Sequence, residues 1–169
     1  RAMVFSGGTF NPREMLNFAQ QAKSSLQNYD LDFLSKVVPS IIGENKGDRA
    51  GTAANAFSSV ILGKANDKRQ AEAWLHYGLI DPKQMIMKNN TPVAWTGGAV
   101  YNTDLALKNP LRFGEEFLLP QLKKGGVDID NKLELTKVLG TLFRNQMSNM
   151  FANELWQAQN RKRLHKDAG

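Results

Sequence analysis

Apolar side chains recur at intervals of three and four along most of the chain, and Pro, Gly, Asn and Asp interrupt that rhythm often enough to cut it into short helices. Pro12 suits a first helical turn, and Met15, Leu16, Phe18, Ala19, Ala22 and Leu26 mark one face up to about Gln27. Asp30 is placed to cap a second helix with Leu31, Leu34, Val37, Val38, Ile41 and Ile42 inward, which Pro39 must kink or restart. A third runs from about Arg49 to Leu62 and is rich in Ala and Ser, small enough to let a neighbouring helix come close. Asn66 or Asp67 caps a fourth carrying Ala71, Trp74, Leu75 and Tyr77, stopped by Gly78.

The rhythm changes after Asp81-Pro82, which opens a short turn of helix through Met87. Between Asn89 and Asn102, Thr91, Val93, Trp95, Val100 and Tyr101 flank Gly97-Gly98, a candidate β-hairpin with a Gly-Gly turn in which Pro92 allows only an edge strand or a loop. Helical spacing then returns in a short segment to Lys108. A long helix follows, capped by Asn109, with Pro110 first, Phe113, Phe117, Leu118 and Leu122 inside, and a bend at Pro120. Two more follow: residues 131–143 with Leu133, Leu135, Val138, Leu139 and Leu142, and residues 145–167 with Met147, Met150, Phe151, Leu155 and Ala158 as a stripe. Beyond Ala158 the stripe fades, so this last helix extends outward from the body. The opening, with Gly7-Gly8, reads as a loop. The fold expected is mainly α: an irregular bundle of about six to eight helices with one candidate hairpin near residues 89–102, forming a single domain over residues 1–169. The chain opens on Arg1 and its last helical signal is still running at Gly169, so it reads as a piece of a longer protein.

Composition adds exclusions. With no cysteine there are no disulfides, no thiolate metal ligands and no cysteine nucleophile. The longest apolar run, Val60 to Leu62, falls far short of the roughly 20 residues that cross a bilayer, so stable membrane insertion of this segment is not expected. The net charge of +6 raises the question of nucleic acid, yet most cations are dispersed among acids. The exception is Arg161-Lys162-Arg163, followed by His165 and Lys166, where cations also suit the carbonyl end of a helix. Those three residues are the candidate polyanion contact.

Catalytic constellations are scarce. The two histidines, His76 and His165, are far apart, and His76 between Leu75 and Tyr77 reads as a half-buried structural residue. Glu115 and Glu116 are consecutive and diverge on a helix. Asp128 and Asp130 start like a calcium loop, but Lys132 and Leu139 stand where oxygen ligands are needed, which leaves them as loop or cap residues. The segment GENKGDRAG from Gly43 to Gly51 lacks the Gly-Lys-Ser/Thr ending of a phosphate loop, and packing accounts better for Gly47 and Gly51. No catalytic, cofactor or metal residue is assigned, and the chain reads as a structural protein rather than an enzyme. Trp95, in a Gly-rich segment, is the candidate exposed aromatic for contact with another subunit. The Met147, Met150, Phe151, Leu155 stripe is the candidate self-association face, because a stripe of that length needs a covering surface.

Three stretches carry a likeness to a known family: Asp48-Arg49-Ala50-Gly51-Thr52 running into an Ala-rich helix, Gly78-Leu79-Ile80-Asp81 after a helix, and Asn109-Pro110 through Leu119-Pro120 to Gly125-Gly126. Over roughly Asn11 to Asp167 the chain resembles the tail tape measure proteins of bacteriophages and prophages, with Phe113 standing where a Trp is expected after Asn-Pro. The resemblance implies a largely helical virion protein that sets tail length, is assembled in the bacterial host cytoplasm, and meets other copies of itself and other tail proteins. The Pro and Gly punctuation marks a folded module embedded in a longer fibrous chain. Two rival readings come from other classes: a helical nucleic-acid-binding domain, drawn from the charge, and a muralytic hydrolase using carboxylates such as Glu72 and Glu116.

Overall fold

The computed structural model describes residues 11–64, 67–143 and 145–168. The opening loop predicted around Gly7-Gly8, the alternative cap Asn66, and the side chains of His165 and Lys166 lie outside the described residues. Within them the chain is mainly helical, with eight helices and one two-stranded antiparallel sheet. The helices are α1 (Pro12–Ala22), α2 (residues 31–45), α3 (Gly47–Ile61), α4 (Lys68–His76), α5 (Thr103–Lys108), α6 (residues 110–124), α7 (Lys132–Leu142) and α8 (Asn145–Ala168). The strands are β1 (Met85–Lys88) and β2 (Thr91–Trp95).

Polar caps set the helix starts. Asn11 Oδ1 accepts from the Arg13 and Glu14 amides, Asp67 from Gln70, and Asn131 from Glu134, so each first turn has its unpaired N–H groups satisfied. The two prolines expected to kink, restart or bend their helices each stand in the first turn of an α-helical stretch that follows an irregular one. α2 runs through Pro39 and α6 through Pro120, and in each case a π-helical turn, Phe33–Val37 or Gly114–Leu118, lies immediately upstream. The Val38 amide bonds Phe33 O and the Leu119 amide bonds Gly114 O, five residues back. That wider turn shifts the carbonyl register ahead of the proline, which has no N–H to give, and the helix continues.

α3 is the central helix, packed by α1, α2 and α8. The small residues predicted there do what their size allows: a Cβ at Gly51 would collide with the Phe18 carbonyl oxygen and lie 2.8 Å from Gln21 Cβ, so only glycine lets α1 lie this close. One continuous apolar core, including Phe18, Phe57, Ile61, Trp74, Leu118, Leu135 and Leu155, joins the elements. A line of aromatic rings threads it. Trp95 tilts on Trp74 at 5.4 Å, Trp74 meets Phe143 edge-on at 5.4 Å, and Phe143 stacks on Phe57 at 5.2 Å.

The hairpin lies earlier than the sequence pattern indicates. Its turn is Asn89-Asn90, both in the left-handed region at φ 52° and 62°, the geometry of a two-residue turn whose twist matches the strands. The turn of helix predicted to run through Met87 stops at Gln84, and Met85 to Lys88 is a strand. Pro92 is tolerated because a two-stranded sheet has only edges, and the register shifts beside it between Ile86 and Met87. Gly97-Gly98 instead turns the chain back, so that Tyr101 N donates to Leu79 O and Asp81 N to Ala99 O.

Asn109 is fully buried and joins two helix starts. Its Oδ1 accepts from the Arg112 amide at 3.1 Å, capping α6, while its Nδ2 donates to Asp30 Oδ1 and Asp32 Oδ2, both at 3.2 Å. Asp30 Oδ1 in turn accepts from the Phe33 amide and so caps α2. Replacing Asn109 with Ala removes the cap of α6 and takes one donor each from Asp30, which keeps the Phe33 amide, and Asp32, which keeps Lys36. The expected loss is about 2 to 3 kcal/mol, read as a shift in urea midpoint. Leu118 is fully buried, whereas its neighbour Phe117 is half-buried against Tyr101 and Phe113. Leu118→Ala is therefore expected to cost roughly 2 to 5 kcal/mol, and Leu133→Ala, on an exposed side chain, under about 0.5. Equal midpoints for the two variants would contradict this packing.

Candidate functional site

α8 carries most of the residues singled out in the sequence, and the structure divides it in two. From Met147 to Ala158 its stripe is inside the protein: Met147, Phe151, Leu155 and Ala158 are buried and Met150 is half-buried. Phe151 meets Phe57 at 5.2 Å and Phe143 at 5.6 Å, both edge-on. α6 comes close because Gly114 has no side chain, and a Cβ there would lie 2.5 Å from Leu155 Cδ2. The covering surface that the stripe requires is thus this chain itself, and the residues proposed for self-association are core residues in the folded state.

Past Ala158 the helix turns to solvent. Arg161, Lys162, Arg163 and Leu164 are exposed. Two of the three cations of the candidate polyanion contact already have acidic partners: Lys162 Nζ lies 3.2 Å from Glu115 Oε2, and the Arg163 guanidinium pairs with Asp130 while lying 5.7 Å from the Trp156 ring centre. The Arg163 pair with Asp130 is exposed on both sides and worth under about 1 kcal/mol, whereas the Glu115 carboxylate that faces Lys162 is largely covered.

Trp95 is corrected. It is 1% exposed, stacked on Trp74 with its Nε1 donating to Ile61 O at 3.3 Å, because β2 lies against α4 and turns the ring inward. The exposed apolar side chains of the hairpin are Ile86 and Met87. His76 is also corrected: it is exposed, with its ring edge-on to Tyr77 at 4.8 Å. Glu72 and Glu116 are exposed, and Glu116 is bound by Arg112 at 2.8 Å, so neither occupies a cleft suited to hydrolysis. Asp128 and Asp130 are loop residues, with Asp128 Oδ1 accepting from the Asp130 amide. Among the described residues no three His, Cys, Asp or Glu side chains come together to hold a metal, and no helix is long and apolar enough to cross a membrane.

The chemically distinctive residue was not singled out by the sequence pattern. Glu154 is 3% exposed and sits on the inner face of α8, beside an apolar cleft of about 50 Å³ lined by Phe33, Val37 and Ile41 of α2, Ala53 and Ala54 of α3, and Met150. The cleft has room for a few waters but not for a metabolite. The hydroxyl of Ser40 donates to Glu154 Oε2 over a long 3.4 Å. Burial first, and then the Glu44 carboxylate, push the Glu154 acid up to about 7, against a smaller pull from Ser40 and Arg161. The signal was present in the spacing: Glu154 follows Met147 by seven and Met150 by four, within the stripe itself.

Compared with protein-family models, curated proteins and solved structures, the chain matches none of them.

The sign of the pH dependence follows from that acid. The folded chain keeps the Glu154 proton to about pH 7, while the unfolded chain releases it near 4.5, so the folded state binds more protons in between. Its contribution to stability is whole below about pH 4.5, falls as pH rises towards 7, and is level above. Glu154→Gln is expected to flatten this part of the profile and to exceed the parent by about 2 to 3 kcal/mol at pH 8, with little difference at pH 4. Urea midpoints across that range are the check, and an unchanged slope in the variant would place the titration elsewhere.

Proposed function

We propose that this chain is a folded helical module of a phage or prophage tail tape measure protein, a structural part that contributes to tail assembly and length determination and carries no catalysis of its own. Its place would be the virion tail, after assembly in the bacterial host cytoplasm, among other copies of itself and other tail proteins. The observation that supports this most is where the resembling residues fall. Asn109 is the buried double cap, Gly51 lies where α1 and α3 touch, and Pro120 follows the π-helical turn of α6. Gly78, at φ 68°, ends the turn that closes α4. The likeness therefore rests on positions that the architecture requires, rather than on interchangeable surface residues. Among the described residues no three His, Cys, Asp or Glu side chains gather to hold a metal, and Glu72 and Glu116 are exposed, which favours a packing role over an enzymatic one.

The test is genetic and visual. Tails assembled with in-frame insertions or deletions in the reading frame that encodes this module are expected to change in length by electron microscopy, and tails lacking the product are expected not to form. Tails of normal length built without the protein would overturn the reading. Salt-sensitive DNA binding that is lost on neutralising Arg161, Lys162 and Arg163 would replace it with the nucleic-acid reading.

A further inference from the structure

The seam between the inner half of α8 and the body holds a buried acid facing another acid. On the α8 side stand Glu154, Gln157 and Arg161; on the α2 side stand Ser40 and Glu44. Glu44 is already engaged, its Oε1 accepting from Gln157 Nε2 at 2.7 Å, so it offers Glu154 a like charge and no donor. The other elements around the cleft present only apolar groups, Ala50, Ala53, Ala54 and Phe57 from α3 and Pro110 and Leu111 from α6. Among the described residues the cation acting on Glu154 is Arg161, and it is exposed.

We propose that this seam is a proton-controlled latch: with Glu154 protonated, α8 stays seated on α2 and α3, and with Glu154 ionised it lifts and uncovers its Met147, Met150 and Phe151 face. The geometry gives each step a cause. A neutral carboxyl needs only the Ser40 hydroxyl and tolerates an apolar cleft, whereas a carboxylate there lacks both a countercharge at close range and water. The adjoining cleft gives α8 space to shift and admits the first waters. Beyond the seam the outer helix is held by Lys162 on the largely covered Glu115, by Arg163 on the exposed Asp130 and by Gln159 Nε2 donating to Ile129 O at 3.1 Å, contacts at its rim that leave a Glu154 carboxylate uncompensated. The switch point lies about pH 7, set by burial and by Glu44. The Gln70 and Trp74 bonds to Leu142 O that fix α4 to α7 do not involve α8, so they stay in place when α8 lifts off Phe57 and Phe143. The inference stands independently of the tail reading, since it needs no partner.

The chain contains no cysteine, so one introduced thiol reports one position. Ala158→Cys places it at the buried inner face of α8, and Ala71→Cys in the buried face of α4, which packs on β2 and α7. Labelling rates are divided by those of an exposed Lys83→Cys reference at the same pH, to remove thiol ionisation. The corrected rate at Ala158→Cys is expected to rise at least tenfold from pH 6 to pH 8, with no matching rise at Ala71→Cys. Adding Glu154→Gln should abolish the rise, and Glu44→Gln should move it to lower pH. A flat rate at Ala158→Cys, an equal rise at both sites, or a rise that survives Glu154→Gln would each overturn the latch. Amide hydrogen exchange of α8 against α4 in the unsubstituted chain gives the same reading if a cysteine variant fails to fold.

Discussion

The carbonyl of Leu142 is the point on which the packing turns. It lies at the C-terminal end of α7, where the last carbonyls have no partner within the helix and would otherwise be buried bare. No glycine closes this helix. Phe143 leaves it directly in an extended conformation, φ −131° and ψ 170°, which sends its ring into the core and leaves Leu142 O facing α4. Trp74 Nε1 donates to it at 2.8 Å and Gln70 Nε2 at 3.2 Å. Two side chains one turn apart thus hold α4 against the end of α7, and the rest follows in order. Trp74 carries Trp95 and the hairpin, Phe143 reaches Phe57 of α3, and Phe57 and Phe143 together receive Phe151 of α8.

A second constraint operates at the opposite kind of helix end. α2 and α6 start beside each other, so two positive dipole ends and two sets of free N–H groups meet near Asn109. Asp30 and Asp32 answer both demands with negative charge, and the Asn109 amide links them to α6. Lys36 holds the Asp32 carboxyl below the usual carboxylate range, with Asn109 and Arg112 adding to the same effect. Asn suits this position because it accepts and donates at once; Asp would bring a third carboxylate without a donor, and Ser could not span both partners.

What the sequence made legible was the part governed by short-range rules. Helical spacing, the caps at Asp30, Asp67 and Asn109, and the packing role of Gly51 follow from local chemistry, and each has its place in the fold. The failures share a different origin. Met85-Ile86-Met87 has little strand chemistry, and only the Asn89-Asn90 turn and the cover from α4 on β2 make it half of a hairpin. Trp95 reads as a surface residue because its sequence neighbours are glycines, yet what covers it is distant in sequence: Trp74, the Ile61 carbonyl and Gly63, where a Cβ would collide with the Trp95 carbonyl. The prolines marked where the helices change, but not how, because a π-helical turn is invisible to a 3.6-residue period. In the candidate site the stripe of α8 was legible as a stripe, but which surface covers it depends on α3 and α6, far away in sequence.

Glu154 shows why a buried acid is the informative departure from such a pattern. An apolar residue at this position would complete the stripe, fill part of the cleft and remove the desolvation penalty that the carboxyl carries, so stability alone does not explain a glutamate there. Its surroundings do not neutralise it either: Ser40 is distant, Glu44 is of the same sign, and Arg161 is out in solvent. Elsewhere the buried groups at Asn109 and Leu142 O are closely satisfied, whereas Ser58 Oγ and Gln70 Oε1 are buried without a hydrogen-bond partner. Glu154 breaks the rule in a different way, because it can take up a charge, and that break identifies what its element does beyond holding the fold. In this protein the break falls on the seam between the anchored half of α8 and the half in solvent, which makes that helix the part of the module whose position protonation can set.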